Sequence, residues 1–169
     1  MLNTFEVVCI PRDLEGAREL FGKNAFEFER WAVSLVGGTP NQKQVGDKGS
    51  DGVFRFQTDS KTWGTVIISV KGGAQINPGM VRDLGGTLEA HRAEMGVIIV
   101  MDDVTRGMRD AANHSGIYHH EMNGEDIPKI QIVSVRELLE GKRIRVPNYV
   151  SAVLDPKGFG GEQAQLFGP

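Results

Sequence analysis

The 169-residue chain holds one cysteine, Cys9, no apolar run long enough to span a bilayer, and no excess of positive charge. A lone thiol excludes an internal disulfide framework and fits a reducing cytoplasm. The N-terminus also lacks a charged-then-apolar signal pattern, so the sequence reads as cytoplasmic, with no membrane partner. The net charge of −3 gives no global pull toward nucleic acid, and a polyanion would have to meet a local basic patch. Internal repeats and low-complexity tracts are absent too. What remains is ordinary for a soluble globular chain: 40% apolar and 24% charged residues, at a length that suits one domain with a substantial core.

Hydrophobic periodicity alternates between helix and strand. Residues 5–10, "FEVVCI", suit a short strand or a linker end. "DLEGAREL" and "NAFEFERWAVSLVGG" read as helices, the second closed by Gly37 and Gly38. "DGVFRFQ" and "GTVIISVK" read as neighbouring strands joined by the polar "TDSKTW". "MVRDLGGTLEAHRAEM" predicts an amphipathic helix with Met80, Val81, Leu84, Leu88 and Met95 on one face and His91 as a core histidine. "GVIIVM" has the unbroken apolarity of a strand buried on both faces. Thr105 can cap a helix that Gly116 stops, "KIQIVSV" is another strand and "SVRELLEG" a closing helix. The succession predicts an α/β or α+β layered domain with a mixed central sheet. From Lys142 onward proline and glycine replace periodicity, which suits a tail that wraps the domain or stays mobile.

Strand alternation puts Thr65, Ile67, Ser69 and Lys71 on one face, and Asp51, Val53, Arg55 and Gln57 on one face of the preceding strand. In antiparallel register Asp51 and Lys71 come together at the strand ends. Such a pair can serve a metal-bound water attacking a phosphodiester, or be a structural ion pair at a sheet edge. Glu29 projects between Phe26, Val33 and Val36, inside the arc of its helix that should face the core. A core-facing carboxylate calls for a metal or a cationic partner. After Lys71, "GGAQINPG" can bring backbone close to a ligand or simply make a tight strand-to-helix turn. His114, His119 and His120 cluster beside Glu121, without the spacing of a zinc site. Lys142, Arg143 and Arg145 would suit a phosphate backbone or a solvated basic turn.

Taken in order, "FEFERWAVSLVGGTP", "GDKGSDG", "IISVKGG", "MVRDLGG" and "PKIQIVSVRELLEGK" resemble one family. The chain is similar to the Mrr-like restriction-endonuclease domain of the PD-(D/E)xK nuclease superfamily, in the version associated with DNA methyltransferases. The resemblance spans roughly Pro11 to Lys142. It implies a restriction-endonuclease-like α/β fold, a central mixed β-sheet flanked by helices, as a domain over residues 11–141 followed by a tail over 142–169. It further implies that Asp51 and Glu29 hold Mg²⁺, with Mn²⁺ as a substitute, and that Lys71 is the catalytic lysine. Gln75, Arg82, Lys48 and Lys43 are the implied DNA contacts. One residue departs from the pattern: Ser69 stands two before the lysine, where the superfamily usually carries Glu, Asp or Gln, and a hydroxyl is a short, neutral and weak ligand.

The leading expectation is therefore a Mg²⁺-dependent DNA endonuclease of a restriction-modification or phage-defence system. In it Asp51, Glu29, Ser69 and Lys71 form the site, and the partners are double-stranded DNA, a methyltransferase in cis or in trans, and a second copy of the chain as a homodimer. The alternative is a non-catalytic DNA-binding or targeting module that keeps the nuclease fold and partners a methyltransferase.

Overall fold

The computed structural model describes residues 10–42 and 49–147. Two helices, α1 (Leu14–Lys23) and α2 (Ala25–Leu35), lead into strands β1 (Thr39–Pro40), β2 (Gly52–Gln57) and β3 (Trp63–Lys71). Next come α3 (Gly79–His91), β4 (Met95–Val100), α4 (Arg106–Asn113), a hairpin of β5 (Ile117–His120) and β6 (Glu125–Pro128), β7 (Ile130–Ser134) and α5 (Val135–Leu139). The main sheet has the order β1-β2-β3-β4-β7, antiparallel from β1 to β3 and parallel from β3 to β7. This is the mixed, helix-flanked sheet that the sequence predicts.

Every residue of β4 is buried, because helices cover both faces of the parallel strands. On one face Val66, Ile68, Val70, Val97 and Ile99 pack with Phe28, Ala32 and Val33 of α2, Ala17 of α1 and Leu138 of α5. On the other, Ile67, Ile98, Val100 and Ile132 pack with Val81, Leu84 and Leu88 of α3 and Met108 of α4. Four helices start on side-chain caps: Asp13, Asn24, Thr105 and Ser134 each accept a backbone N–H from the first turn. Pro40 sits on the two-residue edge strand, the place in a sheet where a missing N–H costs least.

Three local expectations are corrected. The α3 helix stops at His91, with Arg92 in the left-handed region as its C-cap, so Met95 starts β4 rather than ending the helix. His91 is exposed: it continues the Val81–Leu84–Leu88 stripe, but the stripe has run past the sheet by then. Gly116 does end the preceding turn, at φ 95°, but a hairpin comes after it that the periodicity did not reveal. The expected strand at residues 5–10 lies outside the described residues except for Ile10. Of the expected tail, residues 142–147 are described, and they pack back on the domain. The Gln131 side chain grips the backbone of Arg145 at both ends (2.7 and 2.8 Å), the Arg145 guanidinium donates to the Asp126 carbonyl (2.9 Å), and the half-buried Ile144 packs against the core. Among the described residues no helix is long and apolar enough to cross a membrane.

Candidate site at the strand ends

Asp51 immediately precedes β2. Its backbone N–H donates to the Ile68 carbonyl (2.8 Å), and its own carbonyl accepts from Asn41 (3.0 Å), so the residue is fixed between β1 and β3. The β2–β3 register pairs Gly52 with Ile68, which sets Asp51 beside Ser69 and two residues short of Lys71. One carboxylate oxygen, Oδ2, accepts the Val70 N–H at 2.6 Å. The expected meeting of Asp51, Ser69 and Lys71 at one end of two adjacent strands is therefore present.

Glu29 arrives from α2, the helix that crosses the opposite face of β3. The crossing is tight at both ends. A Cβ on Gly72 would stand 2.5 Å from the Phe21 ring and 2.9 Å from Phe28, and one on Gly52 would stand 2.5 Å from Val33 and 2.8 Å from the Thr39 carbonyl. Glycine is required there so that α1 and α2 can close on the sheet, and Gly72 faces aromatic rings rather than a ligand. Gly73, by contrast, has nothing within 4 Å of its missing side chain. Lying between these two contacts, Glu29 comes within electrostatic reach of both Asp51 and Lys71. Burial, then the Asp51 charge, push its carboxyl above the usual range, against the pull of Lys71. Burial also raises Asp51, opposed by the Val70 amide and by Lys71.

This donor set falls short of a catalytic Mg²⁺ centre. Mg²⁺ requires near-octahedral oxygen ligation, and nuclease chemistry of this kind needs acidic ligands converging from the strand ends. Here one oxygen of Asp51 is committed to a backbone amide. Ser69 is 3% exposed, carries no charge and makes no side-chain hydrogen bond among the described residues. No group of three His, Cys, Asp or Glu side chains able to hold a metal occurs among the described residues. Gln75 and Arg82 are exposed, in the loop after β3 and the first turn of α3, and neither makes a side-chain hydrogen bond among the described residues. Lys43 and Lys48 lie outside the described residues.

Sequence reasoning missed the ion-pair network one strand over. Asp102, just beyond β4, pairs with Arg18 of α1 and with Arg136 of α5 (3.9 Å), and Arg136 also reaches Asp103 (3.5 Å). The signal was available: two consecutive aspartates directly after a fully buried strand need cationic partners. Likewise Arg109 and Lys142 converge on Glu137 (3.2 and 2.7 Å).

Residues 25–140 match the model of a family described as NACHT-associated inactive Restriction Endonuclease 1. No curated protein matches the chain. The match supports a restriction-endonuclease-like domain without singling out the Mrr-like subgroup or a methyltransferase association. It overturns the expectation of an enzyme, because the family is described as inactive; the buried, uncharged Ser69 on the strand fits that description.

Proposed function

Because the chain belongs to the family of NACHT-associated inactive restriction endonucleases, we propose that it is a non-catalytic module that binds double-stranded DNA and directs a partner to it. The observation that carries this reading is Ser69 beside an Asp51 whose carboxylate is bonded to the Val70 amide. The nuclease frame persists, and the group that would complete its metal site does not. The DNA-facing candidates are Lys71 at the end of β3, Gln75 in the loop and Arg82 on α3, a local cationic edge on a chain of net charge −3. The same reading gives Asp51 and Glu29 too few companions to hold Mg²⁺ or Mn²⁺ tightly. For the partner, the family name favours a protein bearing a NACHT module. The Mrr-like resemblance favours a DNA methyltransferase in the cytoplasm, and co-purification with each separates the two.

The test is anisotropy of a labelled duplex at two salt concentrations, alongside a cleavage screen with Mg²⁺ and Mn²⁺. Wild-type protein is expected to bind with a marked salt dependence and to leave the duplex intact. Lys71→Ala and Arg82→Ala should each weaken binding by roughly 3- to 10-fold and flatten the salt slope. No binding at low salt sinks the DNA-reading role, and metal-dependent strand breaks that vanish in Asp51→Ala sink the non-catalytic one.

A further inference from the structure

The sheet face that carries Lys71 lies open at its other end, past the cover of α3. Trp63, Thr65, Ile67, Ser69 and Lys71 share this face of β3, since a Cβ on Gly64 would meet the Phe56 ring at 2.5 Å on the opposite one. Ile67 is 2% exposed beneath Val81, Leu84 and Leu88 of α3. Two residues back Thr65 is half-buried, and beyond it Trp63 is 52% exposed, with no ring or cation against its indole among the described residues. Across the strands Arg55 stands opposite Thr65 and Gln57 opposite Trp63. Arg55 is exposed and makes no ion pair or side-chain hydrogen bond among the described residues. Two further exposed cations, also without such partners, stand at the rim. Lys61 lies two residues before Trp63, in a turn that Asp59 holds by accepting the Lys61 and Thr62 N–H groups (2.7 and 2.9 Å) and the Thr62 hydroxyl (2.7 Å). Arg92 lies two residues before Glu94, whose N–H donates to the Thr65 carbonyl at 3.1 Å. It is the one non-glycine residue in the left-handed region among the described residues, at φ 51°, a backbone that glycine would adopt without strain.

We propose that this face binds an unpaired DNA strand: the Trp63 indole stacks on a base, and Arg55, Lys61 and Arg92 meet the flanking phosphates. Bases in a duplex already stack on one another, so an exposed indole gains contact only from a base without such neighbours. The cations are free to meet phosphate, because the acids closest in the chain are engaged elsewhere. Asp59 serves its own turn, and Glu94 accepts the Thr65 N–H at 2.6 Å. Glu89 lies on the side of α3 that Gly85 turns toward Ile130 of β7, away from β2. Tryptophan and arginine also anchor protein interfaces, but there they fill well-packed, desolvated pockets. Here the indole is bordered by Gln57, Thr65, Arg55 and Lys61, and Val53 is the one apolar side chain on this face of β2. Eight residues of strand separate Trp63 from Lys71, about 26 Å. The site is thus distinct from the duplex-binding edge and does not depend on it.

The test is anisotropy of a dye-labelled oligothymidine of about 15 nucleotides, with a blunt duplex of equal length in parallel. Wild-type protein is expected to bind the single strand. Trp63→Ala should weaken that binding by roughly tenfold and Trp63→Phe by much less, because a phenyl ring still stacks. Arg55→Ala should weaken it by roughly 3- to 10-fold and lower the salt slope. On the blunt duplex Trp63→Ala should change nothing, so a failure of duplex binding and a failure of this site are read separately. In Trp31→Phe the indole of Trp63 is the only one left, and the oligothymidine should quench its fluorescence. If that variant does not fold, the anisotropy series decides alone. No binding of the single strand at low salt would overturn the proposal, and so would equal affinity in wild type and Trp63→Ala. Equal weakening of duplex and single strand by Trp63→Ala would overturn the assignment to unpaired DNA. A co-purifying protein lost in Trp63→Ala, with oligothymidine binding intact, would give the face to a protein partner instead.

Discussion

In the proposed non-catalytic module Ser69 is the residue that sets this chain apart from a nuclease, and that role can be tested in place. Ser69→Asp adds an acidic ligand beside Asp51 on the same strand face. Titration calorimetry with Mn²⁺ should then show a saturable isotherm that wild type lacks and that Asp51→Ala removes. Without metal the same variant should lose roughly 1–3 kcal/mol, because the new carboxylate is buried beside two others. A chemical melt with and without Mn²⁺ reads both effects. Gly72 offers a second residue-scale test: Gly72→Ala drives a methyl into the Phe21 and Phe28 rings and should cost about 1–3 kcal/mol. Strand alternation put Ser69 and Lys71 on one face and helical phase turned Glu29 toward the core, while the resemblance joined them with Asp51 into one site. The sequence could not show that Val70 donates to Asp51, since that bond depends on a register visible only when β2 and β3 are paired.

At the scale of elements, α5 shows how a five-residue helix persists. Ser134 and Glu137 form a reciprocal capping box, and Lys142 and Arg109 close on the same glutamate. Burial works against the Glu137 charge, but the Lys142 bond, the Ser134 amide and Arg109 outweigh it and hold the carboxyl at about 2 against an ordinary 4.5. A depressed folded-state value means stability that is complete above the unfolded value and lost as pH falls toward 2. Glu137→Gln should therefore lower the melting temperature at neutral pH and flatten its decline between about pH 4.5 and 2, checked by thermal melts across that range. Asp51 and Glu29 act in the opposite sense: their raised carboxyls favour the fold as they take up protons. The long, strongly periodic elements were readable from sequence. The β5–β6 hairpin was not, because its inward residues are Tyr118, His120 and Ile127 and no apolar alternation marks it.

For the molecule as a whole, the chain stays on the domain past the last helix. Arg145 is clasped by Gln131 and Asp126, Ile144 packs against the core and Pro147 is buried. A chain ending at Gly141 should melt several degrees below one ending at Pro147, since it loses Lys142 from Glu137, uncovers apolar surface and orphans the Gln131 amide. Equal melting temperatures would show that the clasp is incidental. Composition alone could not single out this strap within the proline- and glycine-rich stretch that begins at Lys142, because a segment held by backbone contacts to a neighbouring side chain leaves no periodic trace.

The Asp51–Val70 hydrogen bond bears on how chains of this fold drift after cleavage is lost. An aspartate that only held metal would be free to change once the metal was gone. This one also terminates a backbone donor at the edge of the core, and its removal would leave that N–H without an acceptor. Selection for folding alone is thus enough to keep it. In a degenerate nuclease, a surviving aspartate at the head of the strand is a poor witness to activity, and the residue two places before the lysine is the better one to question.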